Sequence, residues 1–106
     1  GYERILPDEF KLYENFPNPF NPSTTISYDL KEWSLVRINI YDLLGRNILD
    51  LDQRIKPPGQ HTFKFHSKDR KGSKLPSGIY FYQLIVNDSM NKKELFSKTK
   101  KMMIVK

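Results

Sequence analysis

Short runs of apolar and β-branched residues, spaced roughly ten residues apart and separated by turn-forming residues, constrain this chain most. In Leu35–Tyr41 the side chains of Val36, Ile38 and Ile40 fall on one face, as in a half-buried β-strand. No segment has a convincing helical period. The predicted strands are Phe10–Tyr13, Thr24–Leu30, Leu35–Tyr41, Asn47–Arg54, Gln60–Phe65, Gly78–Val86 and Leu95–Val105. The pattern predicts an all-β fold, an immunoglobulin-like β-sandwich of about seven antiparallel strands in two sheets, with a small barrel as the alternative.

The connections between these strands carry turn signals of their own. Asp42-Leu43-Leu44-Gly45 predicts a type I turn with a G1 bulge, because Asp suits the first position and Gly suits positive φ. Pro57-Pro58-Gly59 predicts a second turn. His66–Pro76 predicts a polar, basic loop. Gly78–Val86 is apolar on both faces, which predicts a central strand.

A proline-rich segment, Phe16–Ser23, precedes the first long strand. Three prolines in six positions (17, 19 and 22) remove backbone donors, so we expect neither a helix nor a central strand here. Asn18 and Asn21 each precede a proline and are expected to hydrogen-bond their own backbone in Asx-type turns. We expect Phe16 and Phe20 to pin the segment to the core.

Length and composition exclude several classes of protein. A chain of 106 residues suits one domain and excludes a large multidomain enzyme. It contains no Cys, which excludes a disulfide scaffold, a thiol nucleophile and a Cys-ligated zinc site. No apolar run approaches the ~20 residues of a transmembrane helix. Gly1–Phe10 lacks the apolar region of a signal peptide. Because a leading Gly is followed directly by domain sequence, we expect a domain excised from a longer protein.

Positive charge is concentrated at the end of the chain. The net charge is +6, and residues 92–106 carry six Lys against one Glu. Such a segment attracts anionic partners over about one Debye length, ~8–10 Å. The alternative interpretation is an edge strand that lysines protect from aggregation.

Few residues are candidates for catalysis or metal binding. His61 and His66 are expected on opposite strand faces, ~17 Å apart, which argues against a shared metal site. Asp50 and Asp52 share a face, but paired exposed carboxylates near basic residues are common. No phosphate-binding loop or nucleophile motif occurs. We therefore predict no catalytic residue, no cofactor and no metal, and a protein that is not an enzyme.

The aromatic strand Tyr80-Phe81-Tyr82 lies near the basic chain end in sequence, a combination found in nucleic-acid-binding domains. Aromatic residues on both faces of a central strand are more simply explained as core and cross-strand pairs. We expect no nucleic-acid partner.

Several stretches, taken in order, resemble one known family. Asn15–Ile26 looks like its opening box, Ile40–Arg46 like its middle hairpin, and Leu75–Leu84 with Lys100–Lys106 like its closing strands. The family is the type A C-terminal sorting domain of the type IX secretion system, found at the end of exported proteins of Bacteroidetes-like bacteria. The basic loop and the Asn-Pro-Phe and Pro-Ser-Gly-x-Tyr boxes also resemble the immunoglobulin-like module of flagellar hook-capping proteins.

The resemblance implies a non-catalytic address label. Residues 1–14 would link it to an upstream cargo region, and residues 15–106 would form the domain. Outer-membrane translocon and shuttle proteins would carry the cargo from the periplasm to the cell surface or the medium. A sortase-like cysteine peptidase would cut the chain before the proline-rich segment, within or upstream of residues 1–14.

The resemblance also singles out recognition residues. They are Pro17, Asn18, Pro19, Gly78, Tyr80, Lys101, Met102, Ile104, Val105 and Lys106. Two alternatives stay open: a non-sorting structural or adhesion module, and a carbohydrate-binding accessory domain that would use exposed aromatic residues such as Trp33 and Tyr41.

Overall fold

Two antiparallel sheets face each other in a computed structural model, which describes residues 5–106. Within that range the strands are β1 (Lys11–Leu12), β2 (Ser23–Leu30), β3 (Ser34–Asp42), β4 (Asn47–Lys56), β5 (Gly59–His66), β6 (Gly78–Asp88) and β7 (Glu94–Ile104). One sheet has the order β1-β2-β5 and the other the order β4-β3-β6-β7. The predicted sandwich, its strands and the central position of β6 are confirmed, and the barrel alternative is wrong.

Alternation along the strands builds the core. In β2 every second residue is buried, from Thr24 to Leu30. β3 and β6 repeat the pattern. The core comprises Leu12, Phe20, Ile26, Tyr28, Leu30, Val36, Ile38, Ile40, Phe65, Tyr80, Tyr82, Leu84, Val86, Met102 and Ile104. Because apolar residues face inward from both sheets, burial of their side chains is the main force that holds the sheets together.

The turn after β3 has the predicted form. Gly45 has a φ of 83° and donates its N–H to the Asp42 carbonyl at 3.0 Å. The Asp42 carboxylate accepts hydrogen bonds from the Leu44 and Arg46 N–H groups and pairs with the Arg46 guanidinium at 2.6 Å. Burial opposes the charge, but these hydrogen bonds outweigh it and lower the pKa of Asp42.

The pairing of β2 with β5 defines the two ends of the molecule. Leu30 pairs with Gly59 at one end, and Ser23 pairs with His66 at the other, about 25 Å away along the strands. Residues 5–7 lie near Gly59, at the first end. Ile104 lies in the same groove as His66, at the second.

Candidate recognition surface

The proline-rich segment crosses from one sheet to the other. Phe16 exchanges backbone hydrogen bonds with Thr25 of β2, at 3.0 and 2.8 Å. Four residues later, Phe20 donates its N–H to the Met103 carbonyl and accepts from the Val105 N–H, both at 3.0 Å. This last pairing is parallel and covers the outer edge of β7 at its end.

Asn18 adds a side-chain link to the same edge. Its Oδ1 accepts a hydrogen bond from the Met103 N–H at 3.0 Å, across 85 residues of sequence. The expectation that Asn18 would bond its own backbone is therefore wrong. The outward-facing Met103 N–H lies on the edge strand β7, and the Asn18 side-chain oxygen supplies its acceptor.

Polar residues beneath the segment hold it in place. The Asn15 amide donates to Thr24 Oγ1 at 3.0 Å and to the Pro17 carbonyl at 3.2 Å, and Thr24 Oγ1 donates to the same carbonyl at 2.8 Å. Asn15 and Thr24 are both buried. Our sequence analysis missed this pair. The available signal was a polar residue at Thr24, an inward position of the β2 alternation.

β6 begins beside this closure. Gly78 pairs with Ile104 and Tyr80 pairs with Met102. Gly78 has a φ of 149°, and no atom lies within 4 Å of the position that a Cβ would occupy. The need for a glycine here therefore comes from the backbone conformation and not from close packing against a neighbour. The Tyr80 hydroxyl donates to the Pro76 carbonyl at 2.7 Å.

The residues singled out in the sequence thus converge on one end of the sandwich. We call this the closing end and define it as Pro17–Pro22, Ser77–Tyr80 and Lys101–Lys106. The singled-out residues differ in accessibility. Tyr80, Met102 and Ile104 are in the core, whereas Pro17, Asn18, Pro19, Gly78, Lys101, Val105 and Lys106 are exposed. Only the exposed residues offer side chains or backbone to a partner. The three buried residues contribute by holding the exposed ones in position.

Met103 is a further exposed residue of the closing end that the prediction did not include. Met103 is 39% exposed and Val105 is 38% exposed. Met103 lies between the buried Met102 and Ile104 of β7, and Val105 directly follows that strand. The final strand therefore presents apolar side chains to solvent, with Lys101 and Lys106 on either side.

The structure does not bring together the residues of the alternative carbohydrate-binding site or the two histidines. Trp33 precedes β3 and Tyr41 lies near its end, about 26 Å away along the strand, so they form no shared aromatic platform. His61 stacks on Tyr28 with ring centroids 5.5 Å apart, and His66 is exposed on the opposite face of β5.

The Asp50 carboxylate accepts from the Asn47 amide at 2.8 Å. The side chain of Asp52 is outside the described part of the structure. Among residues 5–106, no cluster of His, Cys, Asp and Glu could hold a metal ion. The same range contains no helix long and apolar enough to span a bilayer.

Comparison with known proteins supports the interpretation from the motifs. The model of the family described as secretion system C-terminal sorting domain matches residues 14–105. A comparison with curated proteins found no match.

Among solved structures, the chain is similar to latent dimeric PorU from Porphyromonas gingivalis, with 25% identity and a TM-score of 0.71 over 98% of this chain and 10% of PorU. FlgD from P. aeruginosa shares 22% identity with a TM-score of 0.63, over 76% of this chain and 61% of FlgD. PorZ, an essential surface component of the type IX secretion system of P. gingivalis, shares 22% identity with a TM-score of 0.54. That match covers 90% of this chain and 11% of PorZ.

The FlgD and PorZ matches show the fold, and the chain spans only about a tenth of PorU or PorZ. The family match extends from the proline-rich segment to the end of β7, the two elements that join at the closing end. The chain belongs to the secretion system C-terminal sorting domains and is a sorting signal of type IX secretion.

Proposed function

We propose that the closing end is the surface by which a type IX export apparatus recognises this domain. The observation that carries the proposal is the pairing of Asn18 and Phe20 with Met103 and Val105, which joins the two most distant boxes of the motif. A rigid edge that presents apolar and cationic side chains together fits recognition by a folded protein partner.

The partners that follow from this role are outer-membrane translocon and shuttle proteins. They would carry a cargo region upstream of residue 15 across the outer membrane to the surface or the medium. A sortase-like cysteine peptidase would then cut within or before residues 1–14. The domain itself would contribute binding without catalysis, because its polar clusters are engaged in holding turns and strand ends.

A reporter fused upstream of the full chain tests this role in a bacterium with a type IX apparatus. Deleting the last residues would be ambiguous, because Met102 and Ile104 belong to the core. We would instead replace the exposed pair, Met103→Ser with Val105→Ser. We expect surface delivery of the reporter to be lost while the thermal unfolding temperature of the domain changes little.

The matched control replaces exposed apolar residues elsewhere. Met90→Ser with Ile55→Ser changes side chains that are 89% and 57% exposed. Delivery should be retained in this variant. Normal delivery of a folded Met103→Ser/Val105→Ser protein would refute the proposed recognition surface.

A further inference from the structure

A groove of about 780 Å³ opens at the closing end. The basic loop (His66–Pro76) and Ile104–Lys106 line most of it, and Asn21 and Pro22 complete the lining. The groove therefore combines a loop of unassigned role with the end of β7 and the two residues that follow it.

The charged side chains of the lining are all cationic. Lys68, Lys74 and Lys106 contribute ammonium groups, His66 contributes an imidazole, and no Asp or Glu belongs to the lining. None of these three lysines forms an ion pair with any residue from 5 to 106, whereas Lys100 pairs with Glu14 at 3.0 Å. Neighbouring unpaired cations repel one another, so a bound anion would be stabilised here.

Internal hydrogen bonds preorganise the loop. Asp69 Oδ1 accepts from the Lys71 and Ser73 N–H groups at 2.9 and 3.0 Å. The Leu75 N–H donates to the Ser67 carbonyl at 2.9 Å, which closes the base of the loop. Its cations are thus carried on a fixed frame, which lowers the entropic cost of binding.

We propose that this groove binds an extended acidic segment of a partner protein. The carboxylates of that segment pair with Lys68, Lys74 and Lys106, and its apolar side chains lie against Leu75 and Val105. A phosphate group or a lipid headgroup would use the lysines and leave the apolar lining exposed, whereas a peptide uses both. The inference rests on the proposed function insofar as it assigns the partner to the export apparatus.

Binding of a labelled peptide of alternating glutamate and leucine to the full chain provides the direct test. We expect the affinity to fall about tenfold or more in Lys68→Glu/Lys74→Glu, and to weaken as salt is added. The control Lys93→Glu/Lys98→Glu makes the same change in net charge at exposed sites outside the groove and should bind nearly as well as the parent. NMR signals of Leu75 and Val105 should shift in the complex.

Three results of this experiment would overturn the inference. They are the absence of peptide binding, an equal loss of affinity in both charge-reversal variants, and equal binding of a peptide of alternating glutamine and leucine. Displacement of the peptide by inorganic phosphate alone or by phosphatidylglycerol vesicles alone would assign the groove to a phosphate or a lipid surface instead.

Export of the reporter separates this inference from the proposed function. We expect the folded Lys68→Gln/Lys74→Gln variant to lose surface delivery. If it is delivered normally while Met103→Ser/Val105→Ser is not, the recognition surface stands and the groove inference fails. If both variants are delivered, the proposed function fails. The peptide-binding experiment alone then decides whether the groove binds an acidic segment.

Discussion

Asn18 supplies the closing end with an acceptor that its neighbours do not replace. Pro17 and Pro19 flank it and have no polar side chain. The Asn18 side-chain carbonyl accepts a hydrogen bond from the outward Met103 N–H, at 3.0 Å. The alignment of the segment with β7 thus depends on one amide side chain together with the backbone of Phe20.

Replacing Asn18 tests that dependence. Asn18→Ala should lower the free energy of unfolding by about 1 kcal/mol, the usual net contribution of a hydrogen bond. Asn18→Asp keeps an acceptor and should cost less. Urea denaturation gives the energies, and hydrogen exchange of the Met103 amide should accelerate in the alanine variant. An equal effect from Asn21→Ala, which replaces the other exposed asparagine before a proline, would contradict the assignment.

Gly78 is a second position where one residue matters. At a φ of 149° an L side chain is strained even though the space is open. Gly78→Ala should therefore lower the free energy of unfolding by about 1–2 kcal/mol. The exposed neighbour Ser77 provides the control, since Ser77→Ala should change it by less than about 0.5 kcal/mol. Chemical denaturation of both variants measures the difference.

At the scale of elements, the proline-rich segment has two phenylalanines with different roles. Phe20 is 1% exposed and meets the Phe65 ring at 6.1 Å, edge to face. Phe16 is 79% exposed. The prediction that both would pin the segment to the core is correct for Phe20 and wrong for Phe16. Phe16 reaches β2 through its backbone alone, so its ring is available to a partner.

Alanine substitutions should separate these roles. Phe20→Ala should lower the free energy of unfolding by about 3–5 kcal/mol, as expected for a buried phenylalanine. Phe16→Ala should change it by less than about 0.5 kcal/mol. Thermal or urea unfolding measures both. If Phe16→Ala reduces reporter delivery at unchanged stability, the exposed ring contacts the export apparatus. Similar losses of stability in both variants would refute the assignment of a core role to Phe20 alone.

The strands were predictable from sequence because their signal is local. The alternation of Val36, Ile38 and Ile40 identifies the inward face of β3 without knowledge of its partners. The turn Asp69–Gly72 repeats the Asp-x-x-Gly pattern of Asp42–Gly45, with glycine φ values of 84° and 83°, although we predicted only a polar, basic loop there.

The closing end was not predictable in the same way. Its central pairing is parallel and joins Phe20 to Ile104, so no sequence period reports it. The three prolines predict no helix and no central strand here, and that prediction does not report the isolated bridge that Phe20 forms through its own N–H and carbonyl. The motifs indicated which residues belong together, but only the fold shows how they touch.

At the scale of the whole molecule, Tyr82 ties the two sheets through one hydroxyl. It lies on β6, donates to the Tyr13 carbonyl at 2.8 Å and accepts from the Asn15 N–H at 2.9 Å. Burial raises the pKa of Tyr82 to about 12. The neutral hydroxyl is the form that the folded state stabilises.

This pKa predicts a loss of stability at alkaline pH. Unfolded tyrosine ionises near pH 10, so the stabilisation is complete below about pH 10 and is lost as the pH rises towards 12. Urea denaturation across this range should show a shallower decline in Tyr82→Phe, whose starting stability is lower because the Asn15 N–H loses its acceptor. Equal slopes in parent and variant would contradict this role of Tyr82.

Asn18 and Met103 are joined across 85 residues of sequence, so the closing end depends on the order in which the polypeptide is synthesised. A ribosome must translate past Val105 before Phe20 can acquire its backbone partners. Chains truncated before Met103 should consequently be degraded by added protease, whereas a chain that includes residues 1–106 should resist it. The closing end therefore forms only after β7 has been synthesised, and a polypeptide interrupted before Met103 does not present it.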